Sequence, residues 1–248
     1  DSGRSGKIIV QTGQSVRNSG SVSLSSGASE TGVGGSIELK SGSSQSGNGG
    51  QFSIKTGGSA TGSSGNVLIY TSEVESSSSN SGGIELSSGS STSSASGDVA
   101  LTTGAAVGAQ TGSISLVAGD SVSNQGGDVD ISAGLSEDST GGSVSLSAGQ
   151  GGPSSIGGSI VINSANTDAQ GESGAVSIST GSTAAGSSGR ILIESGNSVD
   201  QDAGDITLST GASSAGRGGG ISVVAGDSNG ETGGHVTVRS GGSVTGRS

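Results

Sequence analysis

One short unit repeats along the whole sequence and limits what the chain can fold into. The unit has the pattern G-x-[VIF]-x-[LIV]-x-[STA]-G and is followed by a run of polar or small residues. Most copies begin fifteen residues after the previous one, and the other steps are 14, 16 or 17 residues. A fixed short period predicts a repeat protein in which each copy contributes one structural unit. The first glycines of the sixteen copies are Gly6, Gly20, Gly35, Gly50, Gly65, Gly82, Gly97, Gly112, Gly127, Gly142, Gly158, Gly174, Gly189, Gly204, Gly219 and Gly234.

Apolar residues alternate with polar or small ones inside each unit. Alternation with period two and β-branched residues predicts a short strand that buries one face. If such strands stack in register, their aliphatic side chains align into two buried columns. The predicted core columns contain Val22, Leu24, Ile37, Leu39, Phe52, Ile54, Val67, Ile69, Ile84, Leu86, Val99, Leu101, Ile114, Leu116, Val129, Ile131, Val144, Leu146, Ile160, Ile162, Val176, Ile178, Ile191, Ile193, Ile206, Leu208, Ile221, Val223, Val236 and Val238.

The predicted fold is all-β. We expect residues 1–248 to form a single continuous parallel β-solenoid, or β-helix, of sixteen 15-residue coils with uncapped ends. Small residues at the remaining inward positions predict a flattened coil. The glycines are expected to serve turns that need a positive φ and places where backbones approach closely. Right-handed winding is the default for parallel crossovers, and the sequence leaves the handedness open.

The composition is typical of a disordered chain, whereas the spacing of the aliphatic residues is not. Glycine supplies 53 residues and aromatic residues supply 1% of the chain, which is typical of flexible linkers. The regular spacing of the aliphatic residues argues against disorder. Cysteine is absent, so neither disulfides nor thiolate metal sites are expected.

Charge and hydropathy narrow the range of partners. The formal net charge of -11 disfavours nucleic acid and anionic membranes. No stretch of the sequence has the length of apolar residues that a membrane span needs, so no membrane insertion is expected. The sequence lacks Asn-x-Ser/Thr sites, whereas its many hydroxyls leave O-linked glycans open. We expect an extracellular or cell-surface location.

Candidate catalytic residues are few. Gly226–Gly230 matches the G-x-S-x-G pattern of hydrolase nucleophiles, which also needs a histidine base and an acid. The single histidine, His235, lies at a predicted outward position. Since a glycine- and serine-rich chain matches this pattern by chance, we predict that the protein is not an enzyme and has no catalytic residues.

Candidate metal and cofactor residues are equally sparse. Asp128 and Asp130 are similar to acidic residues of calcium-binding β-rolls, but the next unit has Ser143 and Ser145 at the same positions. We therefore expect no metal site, no cofactor and no cofactor-binding residues. Phe52 is predicted to lie in a core column and Tyr70 to point outward, so the two aromatic residues form no stacking platform.

The two ends of the chain continue the same pattern. Thr245–Ser248 matches Ser2–Ser5 at the same phase of the repeat, and the first residue is Asp1 rather than Met. An open terminal coil is an unprotected sheet edge. We therefore expect either end-to-end self-association or continuation of the repeats in a longer parent chain.

The whole chain resembles, in its composition, the Gly/Ser-rich repeat proteins of microbial and algal cell surfaces, including flagellar hairs. Together with the uniform repeats and the lack of a catalytic set, this resemblance implies a non-enzymatic structural protein that forms, or is part of, an extracellular fibre or surface appendage. The uncapped ends of the predicted coils add head-to-tail polymerisation as an expectation. The chain is also similar to short-coil ice-binding β-solenoids, which present aligned threonine rows on a flat face. Its middle outward positions include Ser23, Glu38, Leu68 and Asp130 and form no such row. The return wall of the predicted coil, rich in Ser, Thr and Ala, leaves ice binding on a flat solenoid face as the second functional hypothesis. A surface adhesion module is a third hypothesis.

Overall fold

The predicted β-solenoid is not the fold of this chain. The structure is a computed structural model that describes residues 5–75, 79–167 and 171–242. Throughout these three ranges the chain forms no α-helix and no β-strand. The prediction of an all-β parallel β-helix over residues 1–248 is therefore wrong. Residues 1–4 and 245–248, on which the expectation about the chain ends depends, lie outside the described ranges.

Regular bends occupy the places where turns between coils were expected. The chain divides into two units, Asp1–Val117 and Ala118–Ser248. In both, short bends recur with the period of the sequence and separate stretches of unbent backbone. We call the stretch from the first to the second glycine of a repeat the straight segment, and the stretch from the second glycine to the next first glycine the loop. Bends lie at residues 30–32, 45–47, 60–62, 92–94, 107–109, 122–124, 137–139, 184–186, 199–201, 214–216 and 229–231.

The predicted core columns are not buried. Within the described ranges no hydrophobic side chain is buried, and all thirty predicted core residues, from Val22 and Leu24 to Val236 and Val238, are exposed. Stacked strands lie about 4.8 Å apart and would bring each residue close to the residue one coil away. Close approaches between residues twelve or more positions apart are instead sparse. The columns are absent because consecutive repeats do not stack.

The accessible surface measures how little the chain buries. It amounts to 24990 Å² for a chain of 22.9 kDa. A compact monomer of this mass exposes about 9,600 Å² and a fully unfolded chain about 33,000 Å². Most of the surface is therefore solvated. The structure also offers no sheet among the described residues that could act as the flat face of an ice-binding solenoid.

Candidate functional site

Hydrogen bonds between glycines close many of the loops. The N–H of the first glycine of a repeat donates to the C=O of the second glycine of the preceding repeat, as from Gly35 to Gly27 at 2.9 Å. These bonds are 2.8 to 3.1 Å long. Each one joins the two ends of a loop, so that the straight segments on either side leave from neighbouring points. The closed loops are Gly27–Gly35, Gly42–Gly50, Gly57–Gly65, Gly119–Gly127, Gly134–Gly142, Gly149–Gly158, Gly211–Gly219 and Gly226–Gly234.

In seven of the eight closed loops, the glycine that donates the closing bond lies so close to the other end of the loop that an added Cβ would be less than 3.4 Å from another atom. A Cβ atom added to Gly35 would lie 3.1 Å from the Cβ of Ser26, and one added to Gly219 would lie 2.9 Å from the Cβ of Thr210. At 2.9 Å the neighbouring atoms must shift, and at 3.1 Å they must give by a few tenths of an ångström. In addition, the hydroxyls of Ser26 and Thr210 donate to the carbonyl oxygens of Gly35 and Gly219, at 2.8 and 3.1 Å. In these two loops the residue before the second glycine therefore also holds the base of the loop, whereas four other closed loops have alanine at this position.

A pair of adjacent glycines ends most closed loops and none of the open ones. In seven of the eight closed loops, another glycine stands directly before the first glycine of the next repeat, and the eighth loop has Ser64 there. Four loops with the same eight-residue spacing lack the closing bond, and none of them has a glycine at that position. A Cβ added to Gly49 would lie 3.7 Å from the accepting oxygen of Gly42, in contact with it. The open loops have Ser96, Thr111, Ser188 and Ala203 at this position.

Exchanging the residue directly before the closing glycine is expected to form or weaken the closing hydrogen bond of the loop. Ser96→Gly should close the Gly89–Gly97 loop, and Gly49→Ala, which introduces the residue found in the open Gly196–Gly204 loop, should weaken the bond between Gly50 and Gly42. Because one exposed hydrogen bond contributes about 1 kcal/mol, we expect a roughly fivefold change in amide exchange of Gly97 and Gly50 in opposite directions. NMR exchange rates measure this directly. Ser43→Gly is the matched control, and unchanged exchange at Gly97 in Ser96→Gly would contradict the rule.

A serine two residues after the second glycine shapes the bend. The Ser29 hydroxyl oxygen accepts a hydrogen bond from the N–H of Gly32 at 2.9 Å, and the Ser44 oxygen accepts one from Gly47 at 2.9 Å. A side-chain oxygen that accepts from the backbone N–H three residues on replaces the backbone acceptor of a turn. The same bond is made by Ser59, Ser91, Ser121, Ser136, Thr183, Ser198, Ser213 and Ser228.

Loops without this hydroxyl make their bends in other ways. Ala106 stands at the serine position of the loop that follows Gly104, and there Gly108 has a φ of 77°. It is the one positive φ among the described residues. In another loop the N–H of Ser155 donates to the C=O of Gly152 at 3.0 Å, across a turn that contains Pro153. The expectation that the glycines generally supply positive φ is therefore wrong. Close approach explains the glycines that donate the closing bond in most closed loops, whereas a Cβ added to the second glycines would meet no atom within 4 Å.

The straight segments carry the exposed aliphatic pairs. In every repeat from Val22–Leu24 onward, the first residue of the pair is less exposed than the second. The exposed fraction is 49–67% for the first residues and 63–91% for the second. The large aliphatic residues in the loops are 91–105% exposed, except Val74, which is 43% exposed. Both residues of a pair are therefore exposed, and the first is the less exposed of the two. In the described ranges, no residue between the two glycines of a straight segment makes a backbone-to-backbone hydrogen bond.

The candidate catalytic and metal-binding residues do not lie together in one site. His235 lies exposed in the straight segment of the last repeat, and Asp128 accepts a hydrogen bond from the Gln125 amide at 3.4 Å. Among the described residues, no three His, Asp or Glu side chains form a group able to hold a metal ion, and no cavity is enclosed. This part of the chain also contains no helix long and apolar enough to cross a membrane.

The recurring surface is therefore the candidate site. It consists of the closed loops and the exposed aliphatic pairs of the straight segments. Sequence reasoning identified the pairs and missed the hydrogen-bonding role of the loop serine, although its fixed position after the second glycine was a usable signal. No protein-family model, no curated protein and no solved structure matches this chain.

Proposed function

We propose that this chain is a non-enzymatic structural protein of an extracellular fibre or surface appendage. The observation that carries the proposal is that one loop geometry recurs in both units and leaves an aliphatic pair exposed in each repeat. A set of equivalent surface features at regular intervals suits cohesion between molecules better than recognition of one small ligand. The Gly/Ser-rich composition supports the same function.

Repetition of the aliphatic pairs along one chain strengthens contacts between chains. One exposed aliphatic pair provides only a weak contact. Many such pairs on one chain act together, because after the first contact the others form at high effective concentration. The high negative charge keeps the free chain soluble until these contacts form. The exposed hydroxyls are, in this proposal, acceptors for O-linked glycans on the finished appendage.

Immunogold electron microscopy of intact source cells tests this function. Antibodies raised against the purified chain should label filaments or appendages outside the cell. Cells in which the gene is deleted serve as the control and should lose both the label and the labelled structures. Label confined to the cell interior, or appendages unchanged by the deletion, would contradict the proposal.

A further inference from the structure

The aliphatic pairs of the straight segments have no partner within the described residues, and the structure points to their occupant. We propose that a second copy of this chain covers them, aligned parallel and in register along each of the two units. This inference rests on the proposed structural function and adds the partner of its main surface. It concerns side-by-side pairing, which is different from association of the chain ends.

The exposed area is sufficient for such an interface. Complete burial of an aliphatic side chain removes roughly 60–120 Å² of apolar surface from water. Because these side chains are 49–91% exposed, the thirty of them offer on the order of 1,500 Å² per chain. A stable interface needs about 800 Å² from each partner. Half of the available pairs would therefore be enough.

The spacing of the pairs favours a second copy over another partner. A partner that covers every pair must match a step of fifteen residues and also the irregular steps. In the first unit the step from Gly65 to Gly82 is seventeen residues, and in the second unit the steps from Gly142 to Gly158 and from Gly158 to Gly174 are sixteen. An identical chain in parallel register reproduces each step at the same place. An antiparallel or shifted copy does not.

The unpaired backbone of the straight segments supports the same arrangement. Within the described ranges the N–H and C=O groups between the two glycines of a straight segment make no backbone-to-backbone hydrogen bonds. A second chain at the spacing of neighbouring strands could pair with them while the aliphatic side chains pack. The arrangement has a cost, because the carboxylates of Glu38, Glu85 and Asp130 would face their own copies. Electrostatic repulsion between these carboxylates is therefore expected to weaken pairing.

Cross-linking of single-cysteine variants tests alignment, because the natural chain has no cysteine. Ser23→Cys, Glu38→Cys and Ser115→Cys place a thiol between the two aliphatic residues of three straight segments of the first unit. Each full-length variant is oxidised alone and in mixtures, with one partner labelled with ¹⁵N so that mass spectrometry separates the dimers. Sedimentation velocity of the unmodified chain reports association independently.

We expect same-position disulfide dimers to form at least tenfold faster than the mixed 23/38 and 23/115 dimers. Sedimentation should show a concentration-dependent dimer or larger species. Preferential 23/115 dimers would show antiparallel pairing, and preferential 23/38 dimers would show a shifted register; either result overturns the proposal. A chain that sediments as a monomer up to 100 µM and forms no dimer faster than free thiols also overturns it. Such a result leaves the microscopy test of the proposed function intact.

Discussion

Replacing six aliphatic side chains of the straight segments by serine is expected to weaken self-association of the chain by at least about 100-fold. A half-exposed aliphatic side chain that becomes buried contributes about 1 kcal/mol, and each copy in a pair loses six of them. Even partial burial then exceeds the 2.7 kcal/mol that a 100-fold change requires. Sedimentation equilibrium measures the dissociation constant. The six substitutions are Val22→Ser, Val67→Ser, Val129→Ser, Ile131→Ser, Val144→Ser and Leu146→Ser.

The loops provide a matched control with the same change in composition. Their aliphatic side chains are almost fully exposed and lie outside the proposed interface. Serine at six of these positions should leave the dissociation constant within about threefold of the unmodified chain. Equal weakening in both variants would show that overall hydrophobicity, and not the position of the pairs, drives association. The control substitutions are Val33→Ser, Val107→Ser, Val122→Ser, Leu135→Ser, Ile156→Ser and Val199→Ser.

Raising the ionic strength is expected to strengthen the same association by tenfold or more. Each chain has a net charge of -11, so two copies repel each other at low salt. The Debye length falls from about 30 Å at 0.01 M to about 3 Å at 1 M salt, which screens this repulsion. Sedimentation equilibrium in a sodium chloride series measures the effect. Dissociation at high salt would instead indicate attraction between opposite charges and would contradict the parallel arrangement.

A charge-neutralised variant separates screening from general salting-out. Glu38→Gln, Glu85→Gln and Asp130→Asn together remove three carboxylates that would face their own copies. This variant should associate more tightly than the unmodified chain at 0.01 M salt and equally at 1 M. If the two proteins keep the same difference at every salt concentration, these carboxylates do not lie opposite each other.

The low buried area has a physical cause in the composition. Each repeat has one aliphatic pair, whereas ordering its fifteen residues costs backbone entropy at every position. Glycine, with 53 residues, loses the most entropy on ordering. Local hydrogen bonds within a loop close a short stretch of chain and cost little. Contacts between repeats cost more, which is consistent with regular loops and sparse contacts from one repeat to the next.

Much of the local structure could be predicted from the sequence. The repeat boundaries, the recurring bends and the alternating pairs such as Ile37 and Leu39 are all visible there. The bond from Gly32 to Ser29 was also within reach, because a hydroxyl three residues before an N–H is a known turn pattern. The predicted positive φ of the glycines was wrong because most loops bend around a serine or threonine oxygen.

Features whose interactions span only a few residues follow from the residue order alone: where each loop begins, which glycine allows close approach and which serine accepts in the bend. Whether one repeat lies on the next depends on contacts between repeats, and these appear only in the folded chain. Alternation such as that of Val144 and Leu146 favours one face of a segment, but it does not say what covers that face. A neighbouring repeat and a second chain satisfy the same pattern, and the structure leaves the face exposed.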